Sequence, residues 1–159
     1  MKQVPLGNSG FALVDDTDYD LLMQFRWRIH RDRWNEYAKR HIRLPNGNRS
    51  DQFMHNFLLQ VKGIDHIDGN GLNNQRSNLR IATTSQNGAN SRPRQSSTSK
   101  YKGVSWYEPT EKWLARITIN TKRVYLGYFK TEEEAALAYN RAAIEAFGEF
   151  AKLNEITND

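Results

Sequence analysis

Residues 65–90 read DHIDGNGLNNQRSNLRIATTSQNGAN, and the rest of the chain is best understood from this stretch. It is rich in asparagine and glycine, which are poor formers of both helix and strand. So polar a segment keeps a defined shape only through side-chain hydrogen bonds, a bound ion or a ligand. The order of its apolar, turn-forming and capping residues predicts a short strand, a tight loop, a returning strand and a short helix.

The polar side chains of this stretch are of the types that phosphodiester cleavage requires. That reaction needs a nucleophilic water, a base to deprotonate it, and positive charge to stabilise the developing anion. His66 is the natural base, because only imidazole has an unperturbed pKa near neutrality. Asp65 and Asn87 offer hard oxygen ligands for magnesium or manganese, and Asn78 can hold the loop and thereby one tautomer of His66. From the residues alone, a polar turn without chemistry remains the alternative.

The composition is that of a basic chain without membrane or disulfide signals. Lys and Arg outnumber Asp and Glu by 23 to 18, and the isoelectric point is about 9.5, which favours a polyanionic partner. No apolar run approaches the roughly 20 residues of a membrane span, and the N-terminal residues lack an apolar signal-peptide core. Because the chain has no cysteine, it forms neither disulfides nor thiolate zinc sites.

The region before the polar stretch predicts a helix and a basic sheet. Asp15 and its neighbours can cap a helix whose buried stripe would include Leu21, Leu22 and Phe25. Residues 27–44 alternate and are rich in aromatic residues and arginine, which predicts two strands. The cationic face of this sheet is either simply solvated or in contact with phosphates, and the two interpretations are compatible.

Four motifs, DHIDGN, LNN, SNLR and QNGAN, together with the preceding His55, resemble the HNH endonucleases. The similarity is to the cysteine-free branch found in phages and introns, and it covers roughly residues 5–91. It implies the ββα-metal fold and a set of roles: metal ligands Asp65 and Asn87, general base His66, and loop-bracing Asn78. It also implies a divalent metal cofactor, magnesium or manganese, and products with a 5′-phosphate and a 3′-hydroxyl.

Two further residues are candidates within this resemblance. His55 aligns with a histidine that the family commonly follows with arginine, but Asn56 follows it here, so its role stays open. Asn90 is a weaker candidate ligand than Asn87. One active site per chain favours nicking of one strand unless the protein dimerises, and we expect a monomer.

After a short basic linker, RPRQSSTS (92–99), the sequence predicts a sheet and a helix. Three segments alternate as strands, and Thr131 opens a helix that Gly148 ends. Residues 100–130 hold seven basic and two acidic residues, a net charge of +5, whereas residues 131–159 hold two basic and seven acidic, a net charge of −5. Such a dipolar domain docks on a polyanion in one orientation, and a β-ribbon fits the major groove. A solvated face of mixed charge is the alternative.

The segment YKGVSWYEPTEKWLARITINTKRVYLGYF and the helix after it resemble the plant apetala-two/ethylene-response-factor DNA-binding domain, which also occurs fused to HNH nucleases. The resemblance covers about residues 99–154 and implies that the sheet lies in the major groove of double-stranded DNA. The implied DNA contacts are Lys102, Arg116, Arg123, Tyr125 and Tyr128. Ser105 and Thr118 stand where plant members usually carry arginine, so the plant target sequence should not be carried over.

The sequence thus predicts an α+β protein in which a ββα-metal HNH nuclease domain precedes a three-stranded antiparallel sheet packed on one helix. The predicted limits are 1–91 for the nuclease domain, with its core motif at 53–91, then 92–99 for the linker and 100–159 for the DNA-binding domain. We expect a cytoplasmic protein, which would lie in the host cell cytoplasm if a phage encodes it. We expect its partner to be duplex DNA, and we expect no association with a membrane.

The function that these resemblances imply is that of a metal-dependent DNA endonuclease of homing type. It would hydrolyse one phosphodiester and would be targeted by the C-terminal sheet. The first alternative is a sequence-specific DNA-binding regulator whose HNH domain is inactive. The second is a structural protein that binds DNA without sequence preference.

Overall fold

The computed structural model describes residues 1–8, 10–32, 35–93 and 97–156. The chain divides into two compact units, Met1–Ala82 and Thr83–Asp159. Both mix helices with small antiparallel sheets, which confirms the predicted mixture of α and β structure. Within the described ranges, no helix is long and apolar enough to cross a membrane.

The first unit consists of three small antiparallel sheets and two short helices. Strands β1 and β2 pair with each other, β3, β4 and β5 form a three-stranded sheet, and β6 pairs with β7. Its elements are β1 (Lys2–Pro5), β2 (Phe11–Val14), α1 (Asp16–Leu22), β3 (Arg28–Arg31), β4 (Glu36–Arg43), β5 (Arg49–Phe53), α2 (Met54–Leu59), β6 (Ile64–His66), a 3-10 turn (Arg76–Asn78) and β7 (Leu79–Ile81).

One apolar core joins these elements. Its buried members come from the sheets, both helices and the segment after α1: Val4, Leu6, Ala12, Val14, Leu22, Trp27, Ala38, Met54, Leu58, Ile64 and Leu79. The Trp27 indole N–H donates a 2.8 Å hydrogen bond to the carbonyl of Leu22, which fixes how the chain leaves α1. Burial of this apolar surface is the main force that holds such short elements together.

The predicted buried stripe of α1 is wrong at one position. Leu22 is fully buried and Phe25 packs against the core, but Leu21 is 45% exposed. The helix has only seven residues and buries the face that carries Asp18 and Leu22, and Leu21 lies about 100° around the axis from Leu22, outside that face. The aromatic residues that complete the core follow the helix instead of lying on it.

The basic sheet β3–β4–β5 uses part of its charge for packing. The Arg40 guanidinium carbon lies 3.6 Å from the ring centre of Phe25 and 4.6 Å from that of Phe57. Arg40 therefore covers the aromatic side chains that close the core, in the manner of a cation–π contact. Asp51 accepts hydrogen bonds from Lys39 on the adjacent strand β4 and from Arg28 on β3. Much of this charge is paired within the sheet.

The second unit is a three-stranded antiparallel sheet with a long helix and a short one. The strand order is β8–β9–β10, with β9 in the centre. The Thr131 side chain and the Glu134 side chain form the capping box that starts the long helix, and Gly148 ends it at a φ of +52°, as the sequence predicts. Its elements are α3 (Thr84–Asn90), β8 (Val104–Tyr107), β9 (Lys112–Ile119), β10 (Lys122–Phe129) and α4 (Glu132–Phe147).

Small residues let α4 lie close to the sheet. Ala135, Ala136 and Ala143 are almost completely buried, and α4 packs them against β8, β9 and β10. Gly103 shows how close the approach is, because a β-carbon there would lie 2.1 Å from the Tyr139 ring and 2.6 Å from the Arg116 carbonyl oxygen. With its φ of +77°, only glycine fits that position.

The boundary between the compact units differs from the predicted domain limits. Helix α3 was expected to belong to the first domain, but by its contacts it belongs to the second unit. The reason is that Ala89 packs into the core formed by Ile117, Tyr139, Ala143 and Phe147. Residues 94–96 of the predicted linker lie outside the described residues. The functional limits of the domains stay a prediction.

Candidate active site and DNA-binding face

The paired strands β6 and β7 hold the two residues predicted to carry the chemistry. Asp65 and His66 stand opposite Arg80 and Leu79 in the antiparallel register. Both are buried, with exposed fractions of 3% and 5%. One carboxylate oxygen of Asp65 accepts hydrogen bonds from Nε and Nη2 of Arg80 at 2.9 and 2.8 Å. The buried carboxylate thus has a cationic partner directly across the ladder.

His66 is held in its neutral form by its surroundings. Burial lowers the pKa of His66 below its ordinary value, against the opposing effects of the nearby Asn74 side chain and the charges of Asp68 and Asp65. Neutral imidazole is the form that can take up a proton. Asn74 is fully buried, and sequence reasoning missed its role because only the folded loop brings it to His66.

His55 lies beside His66 in the same pocket of aromatic rings. The two ring centres are 5.0 Å apart with an edge-on geometry, and the Tyr37 ring centre lies 5.9 Å from each. Burial, and to a smaller degree the electrostatic influence of the neighbouring His66, lowers the pKa of His55 to about 3. Its Nδ1 is buried and has no hydrogen-bond partner within the described ranges. His55 is therefore a neutral packing partner of His66 in this structure.

Asn78 braces the loop between β6 and β7. Its side-chain oxygen accepts a hydrogen bond from the backbone N–H of Asp68 at 3.0 Å. Its amide nitrogen donates to the Asp68 carboxylate at 3.0 Å and to the Asn73 carbonyl at 2.8 Å. Burial alone would raise the pKa of Asp68. Hydrogen bonds from the Asn70 backbone and from the Asn73 and Asn78 side chains outweigh this effect, so the pKa of Asp68 is lowered overall. The asparagine-rich sequence is thus a network of side-chain to backbone bonds.

The far end of the same loop is tied to α1. The Arg76 guanidinium makes a bidentate pair with the carboxylate of Asp18, at 2.8 and 2.9 Å. The backbone N–H of Arg76 donates to Asp15 at 2.8 Å. At the tip, a β-carbon on Gly71 would lie 2.4 Å from the Glu36 carbonyl oxygen. Ties at both ends and a close fit at the tip hold the loop in one conformation.

The Asp65 carboxylate is a ligand of the type that hard divalent ions take. In the described part of the chain, no three His, Cys, Asp or Glu side chains converge as a ready-made metal site. Asp65 contributes one buried carboxylate, which Arg80 shares. Magnesium is commonly held by one or two carboxylates with waters and substrate phosphates supplying the rest. A single carboxylate such as that of Asp65 is therefore within the range that magnesium takes from a protein.

The predicted ligands on α3 differ in accessibility. Asn87 is exposed, whereas Asn90 is only 9% exposed. Both lie on a helix that begins at a capping box, in which the Thr83 hydroxyl accepts from the N–H of Gln86 and the Gln86 side chain accepts from the N–H of Thr83. Of the two residues, only Asn87 is exposed to solvent.

Four of the five predicted DNA contacts share the open face of the second sheet. The register pairs Arg116 with Tyr125 and Thr118 with Arg123 across β9 and β10, so these side chains point to one side. The neighbouring residues Ala115 and Ile117 point to α4 on the other side. Tyr125 is 64% exposed, and Tyr128, opposite Leu114 on the same face, is 49% exposed.

The fifth predicted contact, Lys102, points elsewhere. Its ammonium donates hydrogen bonds to the backbone carbonyls of Gly88, Ala89 and Ser91 at the end of α3. Sequence reasoning missed this contact, since no local signal connects Lys102 with a helix that ends 12 residues earlier. The side chain is only partly exposed.

Comparisons with known proteins match two separate parts of the chain to two families. An HNH endonuclease family profile matches residues 60–89, and an AP2 domain profile matches residues 99–149. An uncharacterized HNH endonuclease, L560, of Acanthamoeba polyphaga mimivirus is 31% identical over 156 residues, which cover 94% of this chain and 78% of that protein.

Other relatives match one part of the chain. Protein 3.8 of Escherichia phage T7 is 38% identical over 89 residues, covering 56% of this chain and 73% of the phage protein. The AP2-like ethylene-responsive transcription factor At1g16060 of Arabidopsis thaliana is 47% identical over 62 residues, covering 38% of this chain but only 17% of the plant protein. No solved structure matches at a significant level. The chain therefore belongs to the HNH endonuclease family and joins an HNH endonuclease domain to an AP2 domain.

Proposed function

We propose that this chain is a metal-dependent DNA endonuclease of homing type that nicks duplex DNA. The observation that carries the proposal is the buried Asp65–His66 pair on β6, beside a loop that Asn78 braces with three hydrogen bonds. A rigid base next to a carboxylate is the arrangement that hydrolysis of a phosphodiester needs.

In this proposal His66 accepts the proton of the attacking water. Burial lowers the pKa of His66, so the imidazole is neutral and ready to act as a base near neutral pH. Asn78 acts on His66 through the loop, because it holds the backbone at Asp68, two residues further along. A base that is fixed in orientation avoids the entropic cost of being ordered during the reaction.

Asp65 and Asn87 would hold the divalent ion, magnesium or manganese, each through an oxygen atom. When bound, such an ion stabilises negative charge on the phosphate and the leaving oxygen. The Asp65 carboxylate forms an ion pair with Arg80, at 2.8 Å. Arg80 also adds positive charge beside the same carboxylate, so a metal ion and Arg80 would share it. His55 and Asn90 remain further candidates without an assigned step.

The open face of the β8–β9–β10 sheet would bind the DNA. Arg116 and Arg123 can bind phosphates or guanine edges, and the exposed rings of Tyr125 and Tyr128 add apolar contact area. A single active site per chain supports the nicking of one strand by a monomer. As the resemblance to the HNH endonucleases implies, the products would carry a 5′-phosphate and a 3′-hydroxyl.

One observation favours a second candidate, a DNA-binding regulator with an inactive HNH domain. Asp65 and His66 are only 3% and 5% exposed, and Arg80 already occupies the carboxylate of Asp65. A site closed in this way binds no substrate unless neighbouring groups move. The regulator would use the same DNA-binding face but would leave DNA intact.

A plasmid relaxation assay distinguishes the two. Supercoiled plasmid is incubated with the full chain and magnesium or manganese, and a matched reaction contains EDTA. The nuclease converts supercoiled plasmid to the relaxed form with metal and not with EDTA. If the protein shifts the plasmid in a binding assay but never relaxes it with either metal, the regulator is correct.

A further inference from the structure

Helix α3, which carries the proposed metal ligand Asn87, cannot be stable by itself. It has seven residues, whereas isolated helices shorter than about 12–15 residues are marginal in water. Its sequence, TSQNGAN, contains Gly88 and two asparagines, which are poor helix formers. The Thr83 capping box satisfies the backbone N–H groups at its start. The helix therefore depends on contacts at its other end and along its side.

Lys102 provides three of the contacts at the end of α3, where the Ser91 hydroxyl also donates to the Gly88 carbonyl at 2.7 Å. Its ammonium donates to the carbonyls of Gly88 at 3.0 Å and Ser91 at 2.7 Å, and also to that of Ala89. The last carbonyls of a helix lack partners within the helix, and a positive charge there is favourable. The Lys102 backbone is itself fixed, since its N–H donates to the side-chain oxygen of Asn154 at 2.7 Å and its carbonyl accepts from the Asn154 amide at 3.1 Å.

Contacts along the side of α3 set its rotation. Ala89 is 5% exposed and packs into the core of the second unit, and its carbonyl accepts a hydrogen bond from the N–H of Lys152 at 3.2 Å. The Ser85 hydroxyl accepts from the N–H of Asn120 at 3.0 Å. With about 100° per residue, Asn87 lies some 200° around the helix from Ala89. Fixing Ala89 inward therefore turns Asn87 outward, where it is exposed.

We propose that Lys102 is a positioning residue for the nuclease, and that the AP2 domain holds Asn87 in orientation as well as binding DNA. The inference rests on the proposed function, because Asn87 matters to catalysis only if it binds the metal. The positive charge of Lys102 then serves the end of α3 and not the phosphate backbone. Binding and cutting are coupled, because one folded unit presents both the DNA-binding face and the ligand helix.

The experiment compares three variants of the full chain with the wild type. Lys102→Met keeps the length of the side chain but removes its charge and its hydrogen bonds, and Lys102→Arg keeps the charge and the donors. Lys130→Met is the matched control, since it removes one exposed lysine of the same unit. Three quantities are measured: amide hydrogen exchange in residues 84–90, plasmid nicking at saturating DNA across a magnesium titration, and DNA affinity in EDTA.

Lys102→Met should accelerate exchange in α3 by about tenfold or more, as expected when charge-assisted hydrogen bonds to helix carbonyls are lost. Exchange in β9 and β10 should stay unchanged. The maximal nicking rate should fall and the magnesium midpoint should rise, while DNA affinity in EDTA stays within about threefold because a positioning residue does not touch DNA. In Lys102→Arg, the exchange rate of α3, the maximal nicking rate and the magnesium midpoint should all stay close to the wild-type values. Lys130→Met should show the same α3 exchange as the wild type.

Two results would overturn the inference. The first is unchanged exchange of residues 84–90 in Lys102→Met. The second is a Lys102→Met variant that binds all DNA sequences more weakly but keeps the wild-type maximal nicking rate. Its binding would also depend less on salt, by about one released counterion, which is the behaviour of a phosphate contact. If the wild type never nicks DNA, the proposed function fails. In that case faster α3 exchange in Lys102→Met still supports Lys102 as the residue that orients Asn87.

Discussion

Replacement of Asn78 by alanine tests whether the asparagine network, and not simple apolar burial, gives the active-site loop its shape. The substitution removes three hydrogen bonds, two with Asp68 at 3.0 Å and one with the Asn73 carbonyl at 2.8 Å. Each such bond contributes about 0.5–1.5 kcal/mol net. Asn78 is 9% exposed, so water replaces its bonds poorly. We therefore expect the free energy of unfolding of the first unit to fall by about 2–4 kcal/mol.

The isosteric variant Asn78→Asp separates hydrogen bonding from shape. It keeps an oxygen that accepts from the Asp68 N–H, but it replaces the donor with a second carboxylate about 3 Å from that of Asp68. Two carboxylates at this distance raise the pKa of the pair above the value in the unfolded chain. The variant should therefore be destabilised at pH 7 and should regain stability as pH falls through the raised pKa.

The assay is urea unfolding of the full chain at pH 7 and pH 5, combined with amide exchange of β6 and β7. Asn46→Ala, in the exposed turn after β4, serves as the control and should change stability by less than about 0.5 kcal/mol. If Asn78→Ala lies within that same range, the loop is held by other contacts. If the stability of Asn78→Asp relative to the wild type does not increase between pH 7 and pH 5, the two carboxylates do not lie as close together as we expect.

Three further predictions concern the metal, the buried histidine and the DNA-binding face. Asp65→Asn and Asn87→Ala should raise the magnesium midpoint for nicking, and the rise should be larger for Asp65→Asn because that variant loses charge as well as a ligand. Equal magnesium midpoints in both variants and the wild type would contradict this assignment of the metal ligands. Because the pKa of His55 falls to about 3 on folding, its neutral form contributes stability fully above pH 6.5. That contribution is lost as pH falls from 6.5 towards 3, by up to about 1.4 kcal/mol per pH unit, and His55→Phe should flatten this slope in urea unfolding between pH 7 and 4. Arg116→Ala and Arg123→Ala should each reduce discrimination between DNA sequences by about 1–3 kcal/mol if the side chain binds guanine, measured as binding to a preferred and a scrambled duplex.

Features encoded by neighbouring residues could be predicted from the sequence. The start of α4 at Thr131 and its end at Gly148 follow from a capping box and a left-handed glycine, which act within one turn of the helix. The strand, loop, strand and helix of residues 64–90 follow from apolar, turn-forming and capping residues in order. The shared face of Arg116, Arg123 and Tyr125 follows from the alternation of side chains along paired strands.

Features that depend on contacts between distant residues could not be predicted from the sequence. Arg76 pairs with Asp18, 58 residues earlier, and Lys102 binds the end of α3. Only the folded chain brings these partners together. The pair of Asp65 with Arg80 is an intermediate case, because opposite charges on two strands joined by one loop are a signal once the register is known. Leu21 was misjudged because the length of α1, and hence its buried face, is set by packing.

The role of His66 as the base is the central claim, and its removal tests that claim most directly. His66→Ala and His66→Gln are compared with the wild type in magnesium-dependent plasmid nicking and in DNA affinity measured in EDTA. The glutamine variant fills more of the buried space without offering a base, and exchange of β6 and β7 verifies that both variants keep the fold. We predict that nicking falls by at least about 10²-fold in both while affinity stays within a few-fold, because a base acts in the transition state. Nicking at the wild-type rate by a folded variant would contradict the account.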